Sequence, residues 1–219
     1  MLTIYGVTRS RASRVIWLCH ELGLPFEQVP VIQAYRLADP GAADAPMNTL
    51  SPGFLRLSPA GAVPVIDDDG LVLSESMACT LHLARRAGGP LGPADAAELA
   101  LMEQWSFFAN SSVEPDALTI LFLHRRGQGQ RGEDAGLVAE AAERLVRPLK
   151  VIEDHLARNG HMVGGRFTVA DINTAEVIRY AQGHGALMEQ FPAILAWLAA
   201  CQSRPAFRRM WEARRAEPE

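Results

Sequence analysis

The sequence predicts two folded regions: an α/β domain of order β-α-β-β-β-α over residues 1–87 and, after a linker at 88–94, an all-α helical bundle over residues 95–219. Three observations carry this. Strand-like alternation and helical spacing take turns as far as the paired glycines Gly88 and Gly89; "GGPLGPADA" then interrupts both; beyond it only helical periodicity remains.

The elements follow in order. Leu2 to Tyr5 alternates as a strand, and after "GVTRS" the apolar residues Val15, Leu18, Cys19 and Leu22 recur at helical spacing until Gly23. "FEQVPVI" reads as a second strand, and the intervening helix makes it parallel to the first. Turn formers dominate residues 33–60, which leaves room for a short helix at most. "VPVI" and "LVL" flank "DDDG" as an antiparallel hairpin, with a loop longer than the tight two-residue kind. A helix starts after Ser74 and stops at Gly88. Beyond the linker, a helical stretch runs from Ala94 to "LHRR" with a bend expected near Pro115, and "GQGQRGEDAG" breaks the pattern. A long amphipathic helix is expected over residues 137–159, another from "FTVAD", and one or two more in "FPAILAWLAACQSRPAFRRMWEARR", divided at Pro205.

The bulk properties exclude several classes of function. A chain of 219 residues, 48% hydrophobic and 21% charged, buries a core without staples, and a net charge of -4 gives no electrostatic reason to expect nucleic acid or an anionic membrane. No apolar run approaches the roughly 18 residues a membrane span needs. "MLTIYGV" opens as a strand with no secretion signal behind it, so a cytoplasmic location is the expectation. Cys19, Cys79 and Cys201 sit in helix-like apolar patterns, as reduced buried thiols do. No histidine has metal-ligand spacing, and adjacent Cys19 and His20 on a helix point about 100° apart, too far to form a dyad. No metal is therefore expected.

Chemistry can be read at three places, and a fourth motif concerns folding. Pro64 lacks the N–H a central strand needs; it is either an edge-strand proline or the second residue of a cis Val63-Pro64 bond that turns the Val63 backbone out toward a peptide-like ligand. "SES", residues 74–76, follows a strand and opens a helix. There Ser76 serves as N-cap and Glu75 as a solvated charge, or the pair grips the α-amino-acid end of a ligand, carboxylate on the helix end and ammonium on Glu75. "TRSRASR" puts Thr8, Ser10 and Ser13 near another helix N-terminus, where a hydroxyl either caps the helix or donates to a thiolate. "FTVAD" spaces Thr168 and Asp171 as a capping box, a feature of folding. The arginines of "HRRGQGQRG" and "RRMWEARR" read as solvated faces rather than nucleic-acid contacts.

In this order the pieces resemble the cytosolic glutathione S-transferases over nearly the whole chain: "TRSRASRVIWLCHELGLPFE", "SPAGAVPVI", "LSES", "FTVAD" and "RPAF". The resemblance implies a thioredoxin-like first domain, and the "SRASR" context is similar to bacterial and fungal members of a theta-like branch. It further implies that Glu75 and Ser76 bind the γ-glutamyl group of glutathione and that Val63, before cis Pro64, pairs with its cysteinyl backbone. Ser10 is then the hydroxyl for the sulfur, with Arg11 and Ser13 as the neighbours that could displace it. The expected activity is transfer of glutathione, as co-substrate, to a small hydrophobic electrophile in detoxification. Trp105, Phe108, Ser112 and Glu114 are the expected lining residues for that electrophile, and the protein is expected to be a homodimer. A glutathione-dependent peroxidase or disulfide reductase, or a non-catalytic glutathione carrier, is the alternative. One departure stands out: members commonly carry a basic residue just before the Val-Pro, and this chain has Ala62. Residues 34–57 align with no glycyl-end ligand.

Overall fold

The computed structural model describes residues 1–125 and 132–217. The order of elements is β1 (Leu2–Tyr5), α1 (Ala12–Leu22), β2 (Phe26–Val29), α2 (Pro52–Leu55), β3 (Val65–Asp68), β4 (Leu71–Ser74), α3 (Ser76–Ala87), α4 (Ala96–Phe108), α5 (Glu114–Arg125), α6 (Gly132–Asn159), α7 (Val169–Ile178), α8 (Gly185–Met188), α9 (Pro192–Ser203) and α10 (Pro205–Ala216). They form two compact units, Met1–Ala87 with Arg204–Glu219 and Gly88–Ser203.

The first unit is the expected α/β domain with one addition. Its sheet has the order β2-β1-β3-β4, with β1 and β2 parallel and the other neighbours antiparallel. Ile4, Val15, Trp17, Leu18, Ile66 and Leu83 are fully buried, each worth about 1.5–3 kcal/mol of transfer free energy. Gly23, with φ 63°, caps α1 in the left-handed conformation that glycine adopts without steric cost. The β3–β4 loop is tighter than the sequence suggests. β3 runs on to Asp68, and only Asp69 and Gly70 remain, both at positive φ (53° and 93°), as the two-residue hairpin turn requires. Cys19 and Cys79 are buried free thiols, and desolvation pushes both up to about 12.

The addition is α10. Read along the chain it belongs to the helical half, yet it packs in the first unit. Phe207 meets Trp17 edge-on at 4.9 Å, and Arg204 forks onto Glu21 at 2.6 and 2.8 Å. The "RRMWEARR" face is likewise not wholly solvated: Arg214 is buried, lies 5.4 Å from the Trp211 ring and donates to the Thr8 carbonyl.

The second unit is helical. Asp95 caps α4 by accepting the Glu98 N–H at 2.8 Å, while the Glu98 carboxylate accepts the Ala94 N–H at 2.8 Å. Arg166 forks onto the same carboxylate and, with the Ala94 contact, holds it down to about 2. The irregularity expected near Pro115 is a π-helical turn over Ala109–Val113, directly before it, and this wider turn lets the continuing helix carry a residue without an N–H at position 115. The break expected in "GQGQRGEDAG" falls partly outside the described residues, and Gly132 to Gly136 already belong to α6. The Thr168–Asp171 capping box is formed, and every residue of α7 is buried. Among the described residues no helix is long and apolar enough to cross a membrane.

Candidate functional site

One end of the sheet gathers the residues singled out in the sequence. Tyr5 pairs with Val65, and Val65 pairs with Ser74, so the chain leaves β1, enters β3 and leaves β4 at the same edge. Val63-Pro64 therefore lies beside Glu75-Ser76. Gly6 brings the third piece: at φ 144° it turns the chain out of β1, and a methyl group placed on it would sit 3.3 Å from Val63 Cβ and 3.6 Å from Ser10 Oγ. Only a residue without a side chain lets the Ser10 loop approach Val63 this closely.

The Val63-Pro64 peptide is cis. Pro64 is buried, and the Val63 N–H and C=O have no hydrogen-bond partner among the described residues. A short extended ligand could pair with both as an added strand does. Gly61 sets up this corner from behind, since at φ 60° a Cβ there would lie 2.9 Å from the Thr49 carbonyl oxygen. Gly61→Ala is expected to cost about 1–2 kcal/mol through strain and that backbone clash. Urea unfolding measures it, and an unchanged midpoint would show that the Thr49 loop simply moves aside.

At the other side of the corner, Glu75 has φ 67°, a conformation that costs a non-glycine residue about 1–3 kcal/mol and concentrates at ligand clamps. Its carbonyl accepts the Cys79 N–H at 2.9 Å, so Glu75, not Ser76, stands at the cap of α3. The sequence placed the cap one residue late because a glutamate at positive φ is not a cap the local pattern announces. Its side chain is exposed, with no hydrogen bond or ion pair among the described residues. Ser76 is thereby the first helical residue and is buried, with its Oγ accepting from Arg14 Nη1 at 2.9 Å. Arg14 is itself 1% exposed, so a buried positive charge stands directly behind the α3 N-terminus. Sequence reading missed it, since nothing local marks an arginine in "SRASRV" as interior.

Of the helix-1 hydroxyls, Thr8 and Ser13 are buried, and only Ser10 borders the open cleft. Its Oγ accepts the Ala12 N–H at 3.0 Å and donates to the Val7 carbonyl at 2.6 Å. The loop carrying it is braced from α10's end: the Glu217 carboxylate takes the N–H groups of Thr8 (2.6 Å) and Arg9 (2.7 Å). No local pattern could reveal a contact spanning more than 200 residues.

The four lining residues expected in the helical unit divide. Trp105 (7% exposed) and Glu114 (3%) are interior, with Trp105 packed 4.5 Å from His155 and 5.7 Å from Phe108 between ring centres. Phe108 is half-buried and Ser112 exposed. The π turn explains the division, because its wider winding keeps Trp105, Ala109, Val113 and Ala117 on one buried face at a spacing of four, whereas an uninterrupted α-helix would rotate them apart.

Comparison with known proteins identifies the family and the fold. Residues 9–86 match the glutathione S-transferase N-terminal domain, and residues 98–205 match the C-terminal domain. Glutathione S-transferase 3 of Zea mays is 34% identical over 95% of this chain and 92% of its own length; glutathione S-transferase 3 of Schizosaccharomyces pombe is 29% identical over 95% and 86%. Among solved structures, glutathione S-transferase III in its apo form superposes with a TM-score of 0.78 at 34% identity, covering 100% of this chain and 99% of that one. Glutathione transferase F7 from Populus trichocarpa gives 0.81 at 25% identity over 98% and 99%. With both domain models matched in order and a curated relative 34% identical over nearly its full length, the chain belongs to the glutathione S-transferase family.

Proposed function

We propose that this protein binds reduced glutathione at the sheet corner of its first unit and transfers it to a small electrophile. The observation that carries the reading is the meeting of three unlike features at one edge: the outward Val63 backbone, the exposed Glu75 carboxylate at positive φ, and Ser76 backed by buried Arg14. Their chemistry suits three portions of a single ligand. Val63 pairs with the peptide portion, Glu75 takes the ammonium, and the α3 N-terminus with the Ser76 hydroxyl takes the α-carboxylate. Because the Ser76 oxygen already accepts from Arg14, its own proton is what it has left to donate.

Glutathione supplies the nucleophile as its thiolate. Ser10 favours that form by turning its hydroxyl proton from the Val7 carbonyl to the sulfur while still accepting the Ala12 N–H. Serine forms no covalent intermediate in this scheme. For the electrophile we assign the exposed side of the helical unit near Phe108 and Ser112. The theta-like placement and a homodimer, for which exposed Leu71 and Val72 on the edge strand β4 offer apolar surface, belong to the same reading.

Retention on immobilised glutathione, followed by turnover assays with a halonitroarene and with a hydroperoxide, tests it. Retention with halonitroarene turnover is expected. Hydroperoxide turnover alone would make it a peroxidase, retention with neither a binding protein, and no retention would remove glutathione altogether.

A further inference from the structure

The turn that carries Ser10 takes its shape from the far end of the chain. Its backbone closes on itself through the Ser10 N–H, which donates to the Val7 carbonyl at 3.1 Å. Both backbone groups of Thr8 and of Arg9 are met from outside the turn. Glu217 accepts their two N–H groups, one on each carboxylate oxygen, at 2.6 and 2.7 Å. Arg214 Nη1 donates to the Thr8 carbonyl, and Gln33 Nε2 donates to the Arg9 carbonyl at 3.4 Å. Arg9 Nε returns a bond to the Arg214 carbonyl at 3.0 Å, so the turn and the end of α10 are tied in both directions. Two charge-assisted bonds to one carboxylate fix the direction of two successive N–H groups as well as their place. Ser10 follows immediately, and half-buried Glu217 belongs to the same compact unit.

We propose, resting on the assignment of Ser10 to the glutathione sulfur, that Glu217 is a positioning residue which, by holding Thr8 and Arg9, sets where the Ser10 hydroxyl stands. Ser10 Oγ is bonded to both sides of the turn, donating to the Val7 carbonyl and accepting the Ala12 N–H, so a turn that relaxes carries the hydroxyl with it. A misplacement of about 1 Å costs up to about 100-fold in rate. The proposed grip on glutathione, through Val63, Glu75 and Ser76, involves none of the atoms that Glu217 holds. The carboxylate's own charge works the other way. A negative group near a thiolate disfavours it, and neutralising that group would by itself lower the thiol's pKa. Positioning and bare charge thus predict shifts of opposite sign when Glu217 is removed.

Steady-state kinetics with a halonitroarene and ultraviolet titration of the bound thiol test this on the wild type, Glu217→Ala, Glu217→Gln, Ser10→Ala and the Ser10→Ala/Glu217→Ala double variant. Glu217→Ala is expected to lower kcat about tenfold, to leave KM for glutathione unchanged and to move the thiol titration up. Glu217→Gln, whose amide oxygen still accepts, should recover part of both effects. In the Ser10→Ala background Glu217→Ala should change neither quantity, because the hydroxyl it positions is gone. A merely structural loss would lower activity by the same factor in both backgrounds. A thiol titration that stays in place or moves down in Glu217→Ala overturns the proposal, and so does a full loss of activity persisting in the Ser10→Ala background; both leave glutathione transfer standing. If Ser10→Ala itself turns over and titrates as the wild type does, the assignment of Ser10 fails and takes the proposal with it.

Discussion

Ser10→Ala is expected to lower kcat/KM for a halonitroarene by about 100-fold, the usual loss when one donor to a developing or stabilised anion is removed. The affinity for glutathione should change little, because its grip rests on Val63, Glu75 and Ser76 rather than on the hydroxyl. The mechanism also sets the pH dependence. In the proposed role, Ser10 donation would favour the thiolate and lower the bound thiol's pKa, so activity is expected to rise with pH at a lower range than for free glutathione. Without the hydroxyl, that rise should move up toward about 8.5, the range of an unassisted thiol. Ultraviolet absorbance of the bound thiolate follows the titration directly. Losing the Ala12 N–H contact also weakens the start of α1, by about 1 kcal/mol, so Ser10→Thr serves as the control that keeps an oxygen there. A Ser10→Ala protein with unchanged turnover and titration would move the role to another donor.

Asp171→Ala should be the most damaging single change to stability in the helical unit. The Asp171 carboxylate is fully buried and accepts from the Thr168 N–H (2.9 Å), the Met162 N–H (3.1 Å) and the Trp197 indole N–H (2.8 Å). Alanine leaves all of these donors buried without an acceptor, a loss of about 3–5 kcal/mol. In thermal unfolding this corresponds to a midpoint lower by about 10 °C. Asp171→Asn should fall between the two, since its amide oxygen still accepts from some of the set. A shift of only a degree or two in Asp171→Ala would show that the loop around Met162 rearranges to satisfy the donors.

The contrast between these two residues shows what could be read in advance. Thr168 and Asp171 are three apart, and a capping box depends only on that spacing and on the helix that follows, so "FTVAD" disclosed the local half of the arrangement. Its other half, Met162 and Trp197 converging on the same carboxylate, comes from neighbouring segments and was not legible. Position at the mouth of α1 left Thr8, Ser10 and Ser13 as candidates and the family resemblance singled out Ser10, but the Ser10 bond to Val7 was not legible. The burial of Trp105 and Glu114 was not legible, because a π turn shifts the buried face of a helix and carries no sequence signal as strong as a proline. The hairpin was located correctly but its loop overestimated, since Asp68 could belong to strand or turn until its pairing with Leu2 was seen.

By itself the sequence determined the periodic and the local: strand and helix order, the parallel first pair and the glycine stops, while for Val63-Pro64 and Glu75-Ser76 it left a ligand role and a plain structural role both open. These follow from spacing and backbone preference, which neighbouring residues settle among themselves. The tertiary structure alone decided which charges went inside and which distant segments met. Arg14 behind Ser76, Glu217 on the Thr8–Arg9 amides and α10 packed in the first unit are all of this kind. The physical reason is that these charges and hydrogen bonds are stable only because their partners arrive from distant parts of the chain, and no window of sequence contains both.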